Sequence, residues 1–210
     1  MALTTPKTGN SFVATVDWDG YLKVLDALAP NRIRITYDGG MLELMSPSPE
    51  HERIKAQFSR ALEAVFLGFD VDFLNGGSTT FKSKLMDKGF EPDECYWLTH
   101  LDEVANLSTY NQETSPPPDL SIEVDITESS ISRMPIYAAF GVSEVWRYEQ
   151  DESIRLYSLK DGSYSEVAVS RFLPQVTPEE LQHFVERGKV LITSRLIREV
   201  REWARQKREF

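Results

Sequence analysis

The segment PPDLSIEVDITESS, residues 117–130, alternates apolar and polar residues. Leu120, Ile122, Val124 and Ile126 share one face of the strand this predicts, and Asp119, Ser121, Glu123 and Asp125 share the other. Three carboxylates along one strand face are either a solvated surface or the acidic side of a metal site. A second acidic strand opens at EPDECYW, where Asp93 precedes a run of large apolar residues. If the two strands are neighbours, Asp93 and Glu123 converge at one edge of a sheet. Two carboxylates and a backbone carbonyl make an oxygen-rich, partly open site suited to Mg2+ or Mn2+, which keep waters and share ligands with a phosphate. A metal held there polarises a phosphoryl oxygen and lowers the pKa of a bound water.

A helix must lie over such a sheet, and the chain supplies one directly before it. Ser48 is a candidate N-cap with Pro49 at the first helical position. Ile54, Phe58, Ala61, Leu62, Val65 and Phe66 recur at helical spacing until Gly68, where the helix is expected to stop. At ~100° per residue His51 falls inside this apolar stripe, Glu50 at its edge and Glu52 away from it. His51 and Glu50 are therefore expected to reach the sheet, and Glu52 to be solvated. His51 has a second reading as a capped, hydrogen-bonded core histidine.

The remaining elements follow from periodicity and turn chemistry. Residues 19–28 predict a short helix with Tyr21, Leu22, Leu25 and Leu28 on one face. RIRITYDGGMLELM predicts a hairpin turning at Asp38-Gly39-Gly40. VDFLNGGSTTFK, EPDECYWL and DLSIEVDI predict three strands, ISRMPIYAAFG a short helix closed by Gly141, and VSEVWRYE a further strand. SIRLYSLKDGSYSEVAVS predicts a hairpin turning at Asp161-Gly162, and TPEELQHFVERG carries the capping-box pattern of Thr177 and Glu180. Residues 193–208 predict a basic amphipathic helix. From residue 50 to 148 the order is helix, three strands, helix, strand, which implies an α/β fold with a mixed sheet flanked by helices. The whole reads as one domain over 1–210, with a core at about 30–170, an N-terminal hairpin and a C-terminal helical extension at about 176–210.

Composition narrows the function classes. The net charge is −10, so global electrostatics give no case for nucleic-acid binding. The charge is uneven: residues 187–210 hold eight Lys/Arg against three Glu, while the rest of the chain carries twice as many acidic as basic residues. Such a tail either touches phosphates or pairs with an acidic surface. One cysteine, Cys95, excludes an internal disulfide framework and fits a reducing compartment. No apolar leader opens the sequence and no window is apolar enough to span a membrane, so the expectation is a cytoplasmic protein.

The succession MLELMSPSPEHERI, GGSTTFK, EPDECYW, PPDLSIEVDITESS and MPIYAAFGVSEVWRY resembles the bacterial Uma-two-type family of restriction-endonuclease-type proteins. The resemblance covers roughly residues 30–150. It implies a restriction-endonuclease-like fold of the PD-(D/E)XK nuclease superfamily and a Mg2+-dependent DNA endonuclease that hydrolyses phosphodiester bonds. Position by position, it makes Asp93 and Glu123 the acidic metal ligands and His51 a histidine typical of the family at the first helix. The superfamily lysine, two residues after the second acid, is replaced by Asp125. The family's later lysine, four residues before the tyrosine of the YA pair, is Arg133 here, before Tyr137. Arginine stays charged and can only orient and stabilise negative charge, where lysine can also share a proton. Arg133 is therefore a phosphate contact or a surface residue near a helix start, and Asp125 an extra metal ligand or an acceptor for Arg133.

Lys82, Lys84 and Lys88 read as phosphate contacts or as solvated lysines. NGGSTTFK lacks the spacing of a phosphate loop, and no His/Cys cluster around Cys95 suggests zinc. The resemblance further implies a homodimer, with Leu196, Val200 and Trp203 of the terminal helix as candidate contacts. Two other readings stand beside the nuclease: a catalytically degenerate relative that binds nucleic acid without cutting it, and an assembly protein whose acidic surface and terminal helix bind protein.

Overall fold

A computed structural model describes residues 11–29, 33–107, 110–111, 114–126 and 131–209. The first ten residues, read above for a leader, lie outside these, as do Arg32 at the start of the hairpin and residues 127–130 at the end of the acidic motif. The architecture is the expected α/β one, with a mixed sheet flanked by helices, and its strands form two sheets in place of one. The five-stranded sheet is antiparallel throughout, in the order β1 (Ser11–Thr15), β3 (Met41–Met45), β2 (Arg34–Asp38), β6 (Lys88–Phe90), β5 (Phe81–Ser83). The six-stranded sheet runs β11 (Ser163–Val167), β10 (Ile154–Lys160), β9 (Glu144–Glu149), β8 (Leu120–Asp125), β7 (Glu94–Trp97), β4 (Leu74–Asn75). Among the described residues only β8 and β9 pair in parallel. A parallel pair needs a crossover, which here is the short helix α4 (Met134–Phe140).

The departure from one sheet has a local cause. The segment read as one strand, 71–82, breaks at Asn75-Gly76-Gly77: its first part pairs with β7 and its last part with β6, in different sheets. The strands β1 and β6 have no counterpart in the sequence expectations. The β2–β3 hairpin turns as expected, with Gly39 and Gly40 both at positive φ, the condition a two-residue turn of this hand imposes.

Helix α1 (Trp18–Leu28) buries Tyr21 against Tyr37 and Leu42 of the five-stranded sheet. The long helix α2 (Pro49–Phe69) is capped by Ser48 and lies on the six-stranded sheet. Phe58, Leu62, Val65 and Phe66 are fully buried in one cluster with Tyr96, Leu120, Ile122 and Trp146. Each such side chain contributes about 1.5–3 kcal/mol by leaving water. Gly68 does not end α2, which continues to Phe69 and closes on Asp70 in the left-handed conformation. A Cβ at Gly68 would lie 2.4 Å from Ala204 Cβ, so the glycine serves a close helix crossing.

The partner in that crossing is the C-terminal helix α6 (Thr193–Arg208), and α5 (Pro178–Val190) packs beside both. The capping box on α5 is present as expected. Leu196 and Val200 are fully buried against the chain's own core, and Trp203 packs on Phe69 and Phe184. Leu196 and Val200 are consumed within the chain and leave no surface for the dimer contact expected of them, whereas Trp203 is half-buried. Four of the tail's eight basic residues pair with acidic ones: Arg187 with Glu199 at 2.7 Å, Lys189 with Glu186 at 2.7 Å, Lys207 with Glu180, and Arg208 with Asp70. No helix among the described residues is long and apolar enough to cross a membrane.

Candidate active site

The two sheets are joined in sequence by Glu91-Pro92-Asp93. β6 ends at Phe90 in one sheet and β7 begins at Glu94 in the other. Glu91 fixes this seam: its Oε2 accepts the backbone N–H of Ile35 at 3.1 Å, and its Oε1 accepts the Thr80 hydroxyl at 2.7 Å. Asp93 follows and is completely buried. Its Oδ2 accepts the backbone N–H of Val124 at 2.8 Å, which locks the seam onto β8 beside Glu123. The register of β7 against β8, Glu94 opposite Ile122, carries the same alignment on to these two acids.

Each remaining predicted residue arrives from a different element. The start of α2 brings His51, whose N–H is capped by Ser48 Oγ at 3.1 Å. Its Nε2 lies 3.1 Å from Asp93 Oδ2. That contact is close but poorly directed, and neither ring nitrogen has an aligned hydrogen-bond partner in the protein. The start of α4 brings Arg133, which is partly buried beside Glu123 and not on the surface; its Nη1 donates to Glu123 Oε2 at 2.6 Å. One turn later on the same helix, Tyr137 donates its hydroxyl to Glu123 Oε1. Strand β2 brings Arg34, with Nε 3.5 Å from Asp93 Oδ1 and Nη2 3.8 Å from Glu52.

The four predicted residues, His51, Asp93, Glu123 and Arg133, therefore meet in one place. Arg34 and Tyr137 complete it and were not among the residues singled out. Tyr137 was legible as the i+4 neighbour of Arg133, whereas Arg34 stands in a strand with nothing local to mark it. Three expectations fail. Glu50 is exposed and does not reach the sheet. Glu52 is half-exposed but lies 3.8 Å from both Arg34 and His51, so it is not simply solvated. Asp125 pairs with Arg147, not with Arg133, and so balances a neighbouring strand's charge. Asp119 does more than start its strand: it accepts the N–H groups of Leu98 and Thr99, at 2.8 and 2.7 Å, and the Thr99 hydroxyl.

Burial and charge push the two central acids apart. For Asp93 burial acts upward, but the His51 contact, the charges of His51 and Arg133, and the Val124 N–H hold it down at about 2. For Glu123 burial prevails, reinforced by the Asp93 charge and opposed by Arg133, and its pKa is raised. His51 is raised despite its burial, because Asp93, Glu123 and Glu52 favour the imidazolium. Arg133 is raised further, burial being outweighed by Glu123 and Asp93. The pair thus has one firmly ionised carboxylate and one that takes a proton more readily.

The donor set suits a hard divalent cation. Among the described residues no three His, Cys, Asp or Glu side chains are arranged so that together they could hold a metal ion. The protein offers two carboxylates, the number Mg2+ ordinarily takes beside waters and substrate phosphate. Both oxygens of Glu123 and Oδ1 of Asp93 each have one protein partner and keep a further lone pair. The unpartnered nitrogens of His51 and the unpartnered Nε of Arg133 are buried polar atoms whose needs a bound group would meet.

Comparison with known proteins agrees with this geometry. The profile of the Uma2 family, described as "Putative restriction endonuclease", matches residues 18–187. A crystal structure from Anabaena variabilis ATCC 29413, titled a "putative nuclease belonging to DUF820", superposes with a TM-score of 0.53 at 14% identity, covering 81% of this chain and 99% of that one. At that identity the likeness establishes a shared fold. No curated protein matches the chain.

Proposed function

Because the chain belongs to the Uma2 restriction-endonuclease family, we propose that it is a Mg2+- or Mn2+-dependent DNA endonuclease whose centre is the Asp93–Glu123 pair. The observation that carries this is the convergence of two buried carboxylates and a buried histidine with a partly buried arginine at the seam of two sheets. Burying two like charges together is costly, and a fold keeps such an arrangement where a cation or a reaction uses it.

Asp93 and Glu123 would hold the metal. When bound, such an ion polarises a phosphoryl oxygen and makes a coordinated water a better nucleophile. The chain's own residues do the rest. Arg133 keeps its positive charge at any working pH and has Nε free to donate to a phosphate oxygen, which stabilises the negative charge that develops there. Tyr137 holds Glu123 Oε1 and so fixes the carboxylate plane. His51, with Nε2 3.1 Å from Asp93 Oδ2, favours the ionised form of Asp93 and leaves its ring nitrogens available to a bound group; it is a positioning residue. Arg34 closes the other side of Asp93. Cutting both strands of a duplex needs two such centres, so this reading brings a homodimer with it, joined by a surface other than the buried face of α6.

One observation favours a second reading. Both oxygens of Glu123 are already engaged, by Arg133 and Tyr137, which would suit a protein that binds DNA without cutting it. Plasmid cleavage separates the two. The nuclease reading expects nicking or linearisation with Mg2+ or Mn2+, and none in EDTA. A folded wild type that binds DNA but cuts it with neither metal establishes the second reading.

A further inference from the structure

The β5–β6 turn projects one of the most exposed apolar side chains of the molecule. Leu85 is 90% exposed. It directly follows Lys84 and comes three residues after Lys82; both lysines are exposed, and neither has an ion-pair partner among the described residues. The acidic groups nearby are occupied: Asp38 by Lys88, and Asp87 by the Tyr37 hydroxyl at 3.0 Å. The tip is also rigidly held. Asp87 has φ +52 and its carbonyl accepts the N–H of Gly39 at 2.9 Å, while Ser83 Oγ accepts the N–H of Met86. A hydrophobic side chain held in water beside two cations without ion-pair partners, on a protein of charge −10, is not explained by the core.

Arg34 links the strand that leads to the tip with the carboxylate centre. Lys82 and Arg34 line one cleft of about 500 Å³ with Thr80, Glu91 and Leu25, and Arg34 Nε lies 3.5 Å from Asp93 Oδ1. Lys82 pairs with Gly89, four residues before Asp93. At ~3.5 Å per residue and ~5 Å between strands, the two Cα atoms are at most about 19 Å apart. That is within about six base steps at ~3.4 Å each.

Building on the nuclease reading, we propose that the β5–β6 hairpin is a duplex-DNA clamp, in which Lys82 and Lys84 hold phosphates flanking the cleavage point and Leu85 enters the groove as a wedge between base steps. An apolar wedge beside phosphate-binding cations unstacks a step and bends the duplex over the protein. Here that bend would carry the strand along the Arg34–Lys82 cleft.

The test is binding of a short duplex carrying a fluorescent base analogue, in EDTA, across a range of salt. Lys82→Ala and Lys84→Ala should each lower the slope of log affinity against log salt by about 0.9. Leu85→Ala should keep the slope, weaken binding several-fold and abolish the fluorescence rise that unstacking produces. All three side chains are exposed, so thermal melting should not change. Wild-type slopes and fluorescence in all three variants overturn the clamp, as does a wild type that does not bind duplex. A fall in molar mass by light scattering for Leu85→Ala, with DNA binding intact, overturns it in favour of a protein contact. Metal-dependent cleavage with wild-type slopes in the variants removes the clamp and leaves the nuclease. Slopes that depend on the lysines in a protein that never cuts keep the clamp and remove the nuclease.

Discussion

Replacing Arg133 with methionine tests the electrostatics of the centre most sharply. The substitution keeps much of the side-chain volume and removes the cation that lies 2.6 Å from Glu123 Oε2. Glu123 is then left buried beside an ionised Asp93. It has two ways out. Remaining ionised costs about 3–5 kcal/mol, the usual penalty for breaking a buried pair. Taking a proton costs ~1.4 kcal/mol per pH unit above its ordinary value of 4.5, or about 3 kcal/mol at neutral pH. The cheaper route sets the expectation: Arg133→Met loses about 3 kcal/mol at neutral pH. The sign with pH follows. The folded variant binds a proton that the unfolded chain does not, so its stability falls as pH rises and its deficit shrinks toward acid, by ~1.4 kcal/mol per unit. Arg133→Lys keeps the charge and should recover most of the loss. Urea unfolding of the three proteins at several pH values reads this directly. A deficit below about 1 kcal/mol at neutral pH, or one that does not change with pH, refutes the claim that Arg133 neutralises a buried Glu123.

Other consequences are as open to measurement. Gly68→Ala places a Cβ 2.4 Å from Ala204 Cβ and should cost about 1–3 kcal/mol in urea unfolding, by overpacking the α2–α6 crossing. Asp119→Ala strands the N–H groups of Leu98 and Thr99 and should cost at least about 2 kcal/mol in the same assay. Asp93 has its folded pKa depressed from 3.8 to about 2, so it contributes stability above its unfolded value that is lost as pH falls through about 2; the wild-type advantage over Asp93→Asn should shrink across that acid window. His51 has the opposite sign: its folded pKa is raised, so its contribution is full below 6.5 and is lost as pH rises through the folded value, and His51→Gln should flatten that limb of the stability profile.

The parts of the centre carried by regular patterns were legible in the chain. Alternation placed Glu123, the helical stripe placed His51, and the acid before an apolar strand placed Asp93. The parts that depend on long-range placement were not. Arg34 meets Asp93 from 59 residues away, and no local pattern announces such a contact. The two sheets were read as one because Asn75-Gly76-Gly77 looks like a bend within a strand, whereas it is where the chain changes sheets. Gly68 looked like a helix stop because its actual role, admitting α6, involves residues more than a hundred positions later. Leu196, Val200 and Trp203 form an apolar stripe that a sequence cannot assign to a partner or to its own core; packing assigns it to the core. Asp125 shares a strand face with Glu123, yet the parallel neighbour β9 brings Arg147 to it, a pairing that only the sheet register decides.

The central claim is that Asp93 and Glu123 form one hydrolytic centre, and a cleavage cycle tests it. Wild type, Asp93→Ala, Glu123→Ala and the double variant are compared on supercoiled DNA with Mg2+ or Mn2+, each shown to be folded. Residues that act as a unit lose function together, so each single variant should fall as far as the double variant does, to the level seen in EDTA. Cutting that survives in either single variant, or losses that add on going to the double variant, would contradict a shared centre.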